Sequence, residues 1–128
     1  MIVKDKKLLV VRTPGQDFFK SAGGKLEPGE TAQQTVVREL KEELNVDVRE
    51  SNLELLGTFY VPALGKGHEG QTLRSDVFVV KRWEGEPKAS HEVAEIKWVD
   101  SSDLATTNFG NIIKLHALPL LKEQGLIN

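Results

Sequence analysis

Three glutamates crowd one short stretch of the chain: Glu39, Glu42 and Glu43 in the run Arg38-Glu39-Leu40-Lys41-Glu42-Glu43-Leu44. On a helix, which turns by about 100° per residue, they fall within an arc of about 100°. Carboxylates this close repel one another, by roughly a few tenths of a kcal/mol per exposed pair. Arg38 reaches Glu42 at the i+4 spacing but cannot neutralise all three. A hard divalent cation can, and oxygen-only ligands suit magnesium or manganese. The preceding stretch holds Gly23, Gly24 and Gly29, and glycine lets backbone approach an ion or a phosphate closely. Glycine loop and acidic helix together suggest metal-assisted phosphate chemistry. The bland reading is a solvated acidic face, the ordinary fate of such a run.

The elements that must hold these residues can be read from pattern. Thr31 to Leu44 reads as a helix. Thr31 with Gln34 three residues on is a capping-box pair, and Glu30 suits the positive helix start. Val37, Leu40 and Leu44 are expected to anchor the helix, and Asn45 to end it in a left-handed conformation. Ahead of it, Met1 to Arg12 reads as two short strand pieces with a turn at Lys4 to Lys6, Leu8 to Arg12 being buried. Thr13 to Gly29 is loop. Leu53 to Val61 and Thr72 to Trp83 read as strands, with Leu73, Val77 and Val79 pointing inward; Ala63 to Gly70 between them is a glycine-rich loop. A turn follows at Trp83 to Pro87, then a short strand from Ile96 to Val99. Phe109 to Glu123 is helical in pattern, with Ile112, Ile113, His116 and Leu120 on one side. Pro119 should kink or divide it, and Gly125 should stop it. This order predicts one α/β domain over residues 1–128, a mixed sheet with a helix on each face.

Composition narrows the function. The chain has 128 residues, 39% hydrophobic and 28% charged, a globular balance. Its formal charge of −2 lacks the basic excess of a nucleic-acid binder. A phosphate-rich ligand must therefore be neutralised locally. No cysteine is present, which excludes disulfides, thiolate metal sites and a cysteine nucleophile. No apolar run reaches the length of a membrane span, and the N-terminal stretch is too charged for a secretory signal. A cytoplasmic protein is the expectation.

The longer spacing is more specific than the glutamates alone. Gly24, five residues, Glu30, seven residues, then Arg38, Glu39, Leu40, Glu42, Glu43 and Val46 resemble the Nudix box, G-x5-E-x7-R-E-U-x-E-E-x-G-U with U a bulky aliphatic. Asn45 stands where that family has glycine; since Asn tolerates the left-handed conformation, an intact site is expected. Phe18 and Phe19, the Arg82 to Pro87 turn and the Glu92 to Val99 segment extend the resemblance to a MutT-like Nudix domain over essentially the whole chain. The resemblance implies an α/β/α sandwich with a curved mixed β-sheet. It also implies Mg2+-dependent (or Mn2+-dependent) hydrolysis of a nucleoside diphosphate linked to another group. By that analogy Glu39 and Glu43 are metal ligands, Glu42 is a ligand or water-positioning base, and the Gly23 carbonyl completes the shell. Glu30 and Arg38 support the loop and orient the helix. Glu92, with Glu95 second, is the candidate for a further ligand or base from the loop before the last strand. Lys25, Arg74 and Arg12 are candidates for phosphate, and Phe18, Phe19 and Tyr60 for the base, each equally readable as surface charge or core. The loops Thr13 to Ala22 and Ala63 to Gly70 are expected to read the base and leaving group.

The implied partner is a small nucleotide, with no nucleic-acid polymer and no membrane, and a homodimer is allowed. The MutT-like turn favours a nucleoside triphosphate. Pro62, sixteen residues past Val46, resembles a spacing in ADP-ribose pyrophosphatases and favours ADP-ribose or another nucleotide sugar. A catalytically silent nucleotide sensor is the alternative of another class, against which stand the three retained carboxylates.

Overall fold

The computed structural model describes residues 1–22, 27–62, 67 and 69–128, with Leu73 described by its backbone alone. Strands β1 (Val3–Lys4) and β2 (Lys7–Arg12) form a hairpin. Its two turn residues, Asp5 and Lys6, have φ of 53° and 63°, the left-handed pair that matches the strand twist. Helix α1 (Ala32–Leu44) follows, then β3 (Leu53–Pro62), β4 (Thr72–Val80), β5 (Glu95–Val99) and, near the end, α2 (Leu118–Glu123). β2 lies between β1 and β5, antiparallel to both, and β3 pairs antiparallel with β4. A parallel bridge from Ile2 to Val80 joins the two groups, so the sheet is mixed. A bulge between Leu55 and Gly57 bends β3.

Period-two alternation along the strands makes the two faces. Leu8 and Val10, with Val3, Val77, Val79 and Val99, pack against Ile113, Ala117, Leu118 and Leu121 near the C-terminus. Leu9 and Val11, with Ile2 and Val80, pack against Leu40 and Leu44 of α1. The chain therefore has the expected layers, one helix on each side of the sheet. No helix among the described residues is long and apolar enough to cross a membrane.

Three expectations need correction. β4 ends at Val80 rather than Trp83, because its partner β3 begins at Leu53, paired to Val80, and offers nothing beyond. On α1 it is Val36 that packs with Leu40 and Leu44; Val37 is only half-buried and lies in neither core cluster. The last helix is divided at Pro119 as expected, but its inward face differs from the expected one. Ile112–Ala117 is π-helical, and α2 carries Pro119 in its first turn, where a missing N–H is harmless. The Leu118 N–H bonds the Ile113 carbonyl five residues back, and this wider turn rotates the inward face. Ala117, Leu118 and Leu121 are buried in consequence, while Leu120 is only half-buried. His116 does lie at the core edge, stacked on Phe59 with ring centroids 4.5 Å apart. Gly57 makes room for that ring, since a Cβ there would sit 2.8 Å from Phe59 Cζ.

Both predicted ends of α1 are present. The Thr31 hydroxyl accepts from Gln34 N at 3.1 Å, and the Gln34 side chain accepts from Thr31 N at 3.0 Å. Asn45 is left-handed at φ 55°, ψ 38°, with its N–H on the last-turn carbonyls. Asn45→Gly is therefore expected to keep the fold and raise stability by about a few tenths of a kcal/mol. Asn45→Val should cost about 1–2 kcal/mol, because a β-branched side chain crowds that conformation. Urea unfolding of the two variants checks both signs; a loss with glycine would show that the Asn side chain itself is needed.

Candidate active site

The acidic helix is held by one guanidinium. Arg38 forks onto Glu30, with Nε 2.8 Å from Oε2 and Nη2 3.0 Å from Oε1. Its Nη1 donates to Glu39 Oε1 at 2.8 Å and to Glu42 Oε2 at 3.3 Å, and lies 3.6 Å from Glu27 Oε1. Glu30 is the second hub. Its Oε1 also accepts from Glu27 N at 2.9 Å and from the Thr35 hydroxyl at 2.9 Å. The turn before α1 and the first two turns of α1 are thereby tied together. These donors favour the charged carboxylate, and Arg38 above all, followed by the Glu27 backbone N–H, holds the Glu30 pKa down at about 2. The same carboxylates push the Arg38 pKa upward.

The glutamates differ in shielding. The Glu39 side chain is 13% exposed and that of Glu42 43%. Glu43 is half-buried, and its backbone carbonyl accepts from Ser90 N at 3.0 Å, while Leu44 O accepts from Lys88 N at 3.0 Å. The segment before β5 is thus strapped to the end of α1. It carries Glu92, which is exposed two residues beyond Ser90. Glu95 is drawn elsewhere, into an ion pair with Arg12 at 3.1 Å. The donor chemistry of Glu39, Glu42 and Glu43, oxygen only and on one helix face, fits a hard divalent cation. In the arrangement seen, Arg38 engages Glu39 and Glu42, and among the described residues no three acidic or imidazole groups converge as a ready cage.

Beside this face lies a cleft of about 570 Å³, a volume suited to a small ligand. The candidates Phe18 and Arg74 both line it, with Lys20, Asp76 and Asn111. Its α1 wall is Ala32, Thr35 and Val36. Successive i+4 steps from Thr35 lead to Glu39 and Glu43, so cleft and acidic residues share one helix face. Of the loop expected to read the ligand, Gln16, Phe18, Lys20, Ser21 and Ala22 do border the cleft. Phe19 instead packs toward the core, with Lys97 Nζ 6.0 Å from its ring, and Tyr60 is 64% exposed, neither core nor cleft. Gly23, Gly24, Lys25 and residues 63–66 and 68 lie outside the described residues.

Lys20, Asp76 and Asn111 were not singled out from sequence. Period two along β4 could have found Asp76, which follows Arg74 at i+2 and touches it at 3.6 Å. Asn111 carried no signal; it reaches the cleft because its Nδ2 donates to Pro62 O at 3.2 Å, joining the π-helical end to β3.

An α/β/α sandwich with an acidic helix beside a ligand-sized cleft has the form of a phosphohydrolase. The profile of the NUDIX domain matches residues 1–120, and the chain belongs to the Nudix hydrolase family. It is 33% identical to an ADP-ribose pyrophosphatase of Methanocaldococcus jannaschii over 85% of this chain and 63% of that protein. It is 32% identical to an 8-oxo-dGTP diphosphatase of Haemophilus influenzae over 79% of this chain and 71% of that one. Among solved structures, a MutT protein of Bacillus halodurans superimposes with a TM-score of 0.70 at 27% identity, covering 92% of this chain and 78% of that one.

The Glu30 hub makes a pH prediction. Its folded pKa lies below the ordinary value of 4.5, so its contribution is complete above that value and is lost as pH falls toward 2. Glu30→Gln should be less stable than the parent at neutral pH, and the difference should shrink on acidification through this window. Thermal unfolding at a series of pH values measures it; a difference that is constant with pH would remove Glu30 as a charged hub.

Proposed function

We propose that this chain hydrolyses a diphosphate bond in a nucleoside diphosphate linked to another group, with a nucleoside triphosphate as the preferred substrate and Mg2+ or Mn2+ as cofactor. The observation that carries this reading is the continuity of one α1 face from the cleft wall at Thr35 to Glu39 and Glu43. A base in the cleft would direct its phosphates along that face. Glu39, Glu42 and Glu43, with the Gly23 carbonyl and Glu92, would hold the cation. Once bound, such a cation offsets diphosphate charge and lowers the pKa of a bound water.

The chain's own groups do the rest. Phe18 offers an aromatic surface to the base, and Arg74 and Lys25 supply positive charge to the phosphates. Arg38, forked on Glu30, keeps the carboxylate face in place. Glu42, more exposed than Glu39, is suited to orient water or accept its proton. The MutT-like turn from Arg82 to Pro87 and the likeness to an 8-oxo-dGTP diphosphatase support a triphosphate.

ADP-ribose is the second reading. Pro62 borders the cleft and is bonded through its carbonyl to Asn111, and the likeness to an ADP-ribose pyrophosphatase is of similar strength.

A panel of nucleoside triphosphates, oxidised triphosphates and ADP-ribose, assayed with magnesium for phosphate or pyrophosphate release, decides between them. A triphosphate should show the highest kcat/KM; a much higher value for ADP-ribose reverses the assignment. Activity should vanish with a chelator and return with magnesium or manganese. Glu43→Gln keeps the size and removes the charge, and should slow the reaction by about a hundredfold or more with the fold retained. A folded variant at near-parental rate would make the acidic face a solvated surface.

A further inference from the structure

A second groove, of about 820 Å³, lies apart from the cleft and shares no lining residue with it. Lys4 and Lys7 of the hairpin border it, as do Lys81, Arg82 and Trp83 beyond β4 and Trp98 of β5. Against these four cations stand Asp5 and Glu86 in the lining, a local positive excess in a chain of net charge −2. Two of the cations have partners: Lys7 meets Asp100 at 3.5 Å and Lys81 meets Glu54 at 3.6 Å. Among the described residues, Lys4 and Arg82 have no carboxylate within ion-pair distance. Trp83 and Trp98 are the chain's two tryptophans, and both are half-buried. Each packs one side against the α1 core cluster, which fixes it.

The groove wall is fixed as well. Asp47 and Glu84 exchange backbone hydrogen bonds at 2.9 Å in each direction. Gly85, at φ 97°, lies so close to helix α1 that a Cβ there would sit 3.3 Å from Asn45 O. Indoles held in place beside unpaired cations form a preorganised surface for an aromatic ring that carries phosphate. We propose that this groove is a second nucleotide site, binding a nucleoside monophosphate with its base against Trp83 and Trp98 and its phosphate toward Lys4 and Arg82. This proposal does not depend on the catalytic reading and stands even if the acidic face hydrolyses nothing.

The cleft is lined by no tryptophan, so intrinsic fluorescence reports the groove directly. AMP, which has no diphosphate bond to cleave, is titrated into the protein alongside adenosine and inorganic phosphate, with excitation at the red edge of the indole band. Saturable quenching by AMP with a Kd of about 1 mM or tighter is expected, with adenosine and phosphate each much weaker. Lys4→Glu and Arg82→Glu, both at exposed positions, should each weaken AMP by about tenfold or more and leave the basal hydrolysis rate unchanged. No saturable quenching, equal response to adenosine, or AMP affinity untouched by both variants would overturn the site.

Discussion

Carboxylates gathered on one helix face repel one another, and here the Arg38 guanidinium offsets that repulsion at Glu39 and Glu42. Arg38 touches Glu30, Glu39 and Glu42 within 3.3 Å. Its planar fork satisfies both oxygens of Glu30 while its outer nitrogen reaches along the helix. A lysine at this position has one point charge and no fork, and could not hold the turn before α1 and the acidic face together. Glu30 completes the arrangement by fastening Glu27, Thr35 and Arg38 to one carboxylate. The position of the acidic face relative to the cleft follows from this clasp, because Thr35 belongs to the cleft wall and to the Glu30 hub at once.

The far end of α1 is secured by different means. Asn45 turns the chain in a left-handed conformation, Gly85 packs beneath its carbonyl, and Lys88 and Ser90 donate to the carbonyls of Leu44 and Glu43. The helix is thus clamped at both ends, and at this far end by backbone groups that leave its carboxylates alone. The segment from Glu84 to Ser90 serves two places, closing one wall of the tryptophan groove and tying the chain ahead of β5 to the end of α1. Rigid supports of this kind are what a site needs if its geometry is to survive the binding of a highly charged ligand.

Local rules predicted what local physics determines. The capping box at Thr31, the left-handed Asn45, the hairpin turn after Lys4 and the buried strand from Leu8 are each set by a few neighbouring residues, and each is present. Elements set by distant partners were misplaced. The end of β4 depends on where β3 begins, and the inward face of the last helix depends on a π turn that no spacing announces. Within the site, the acidic helix was legible because its residues lie close in sequence. The cleft was legible only in part: Phe18 and Arg74 stood out by type, whereas Lys20, Asp76 and Asn111 are brought together by tertiary packing from the segment after β2, from β4 and from the start of the last helix.

The central claim is that the carboxylate face of α1 is a divalent-cation site rather than a solvated surface. Titration of Mn2+ into the substrate-free protein, followed by calorimetry or by enhancement of water-proton relaxation, tests it without reference to any nucleotide. The account predicts a saturable site in the parent that is lost when Glu39, Glu42 and Glu43 are changed together to glutamine in a protein that remains folded. Identical titrations for the parent and that folded variant would contradict it.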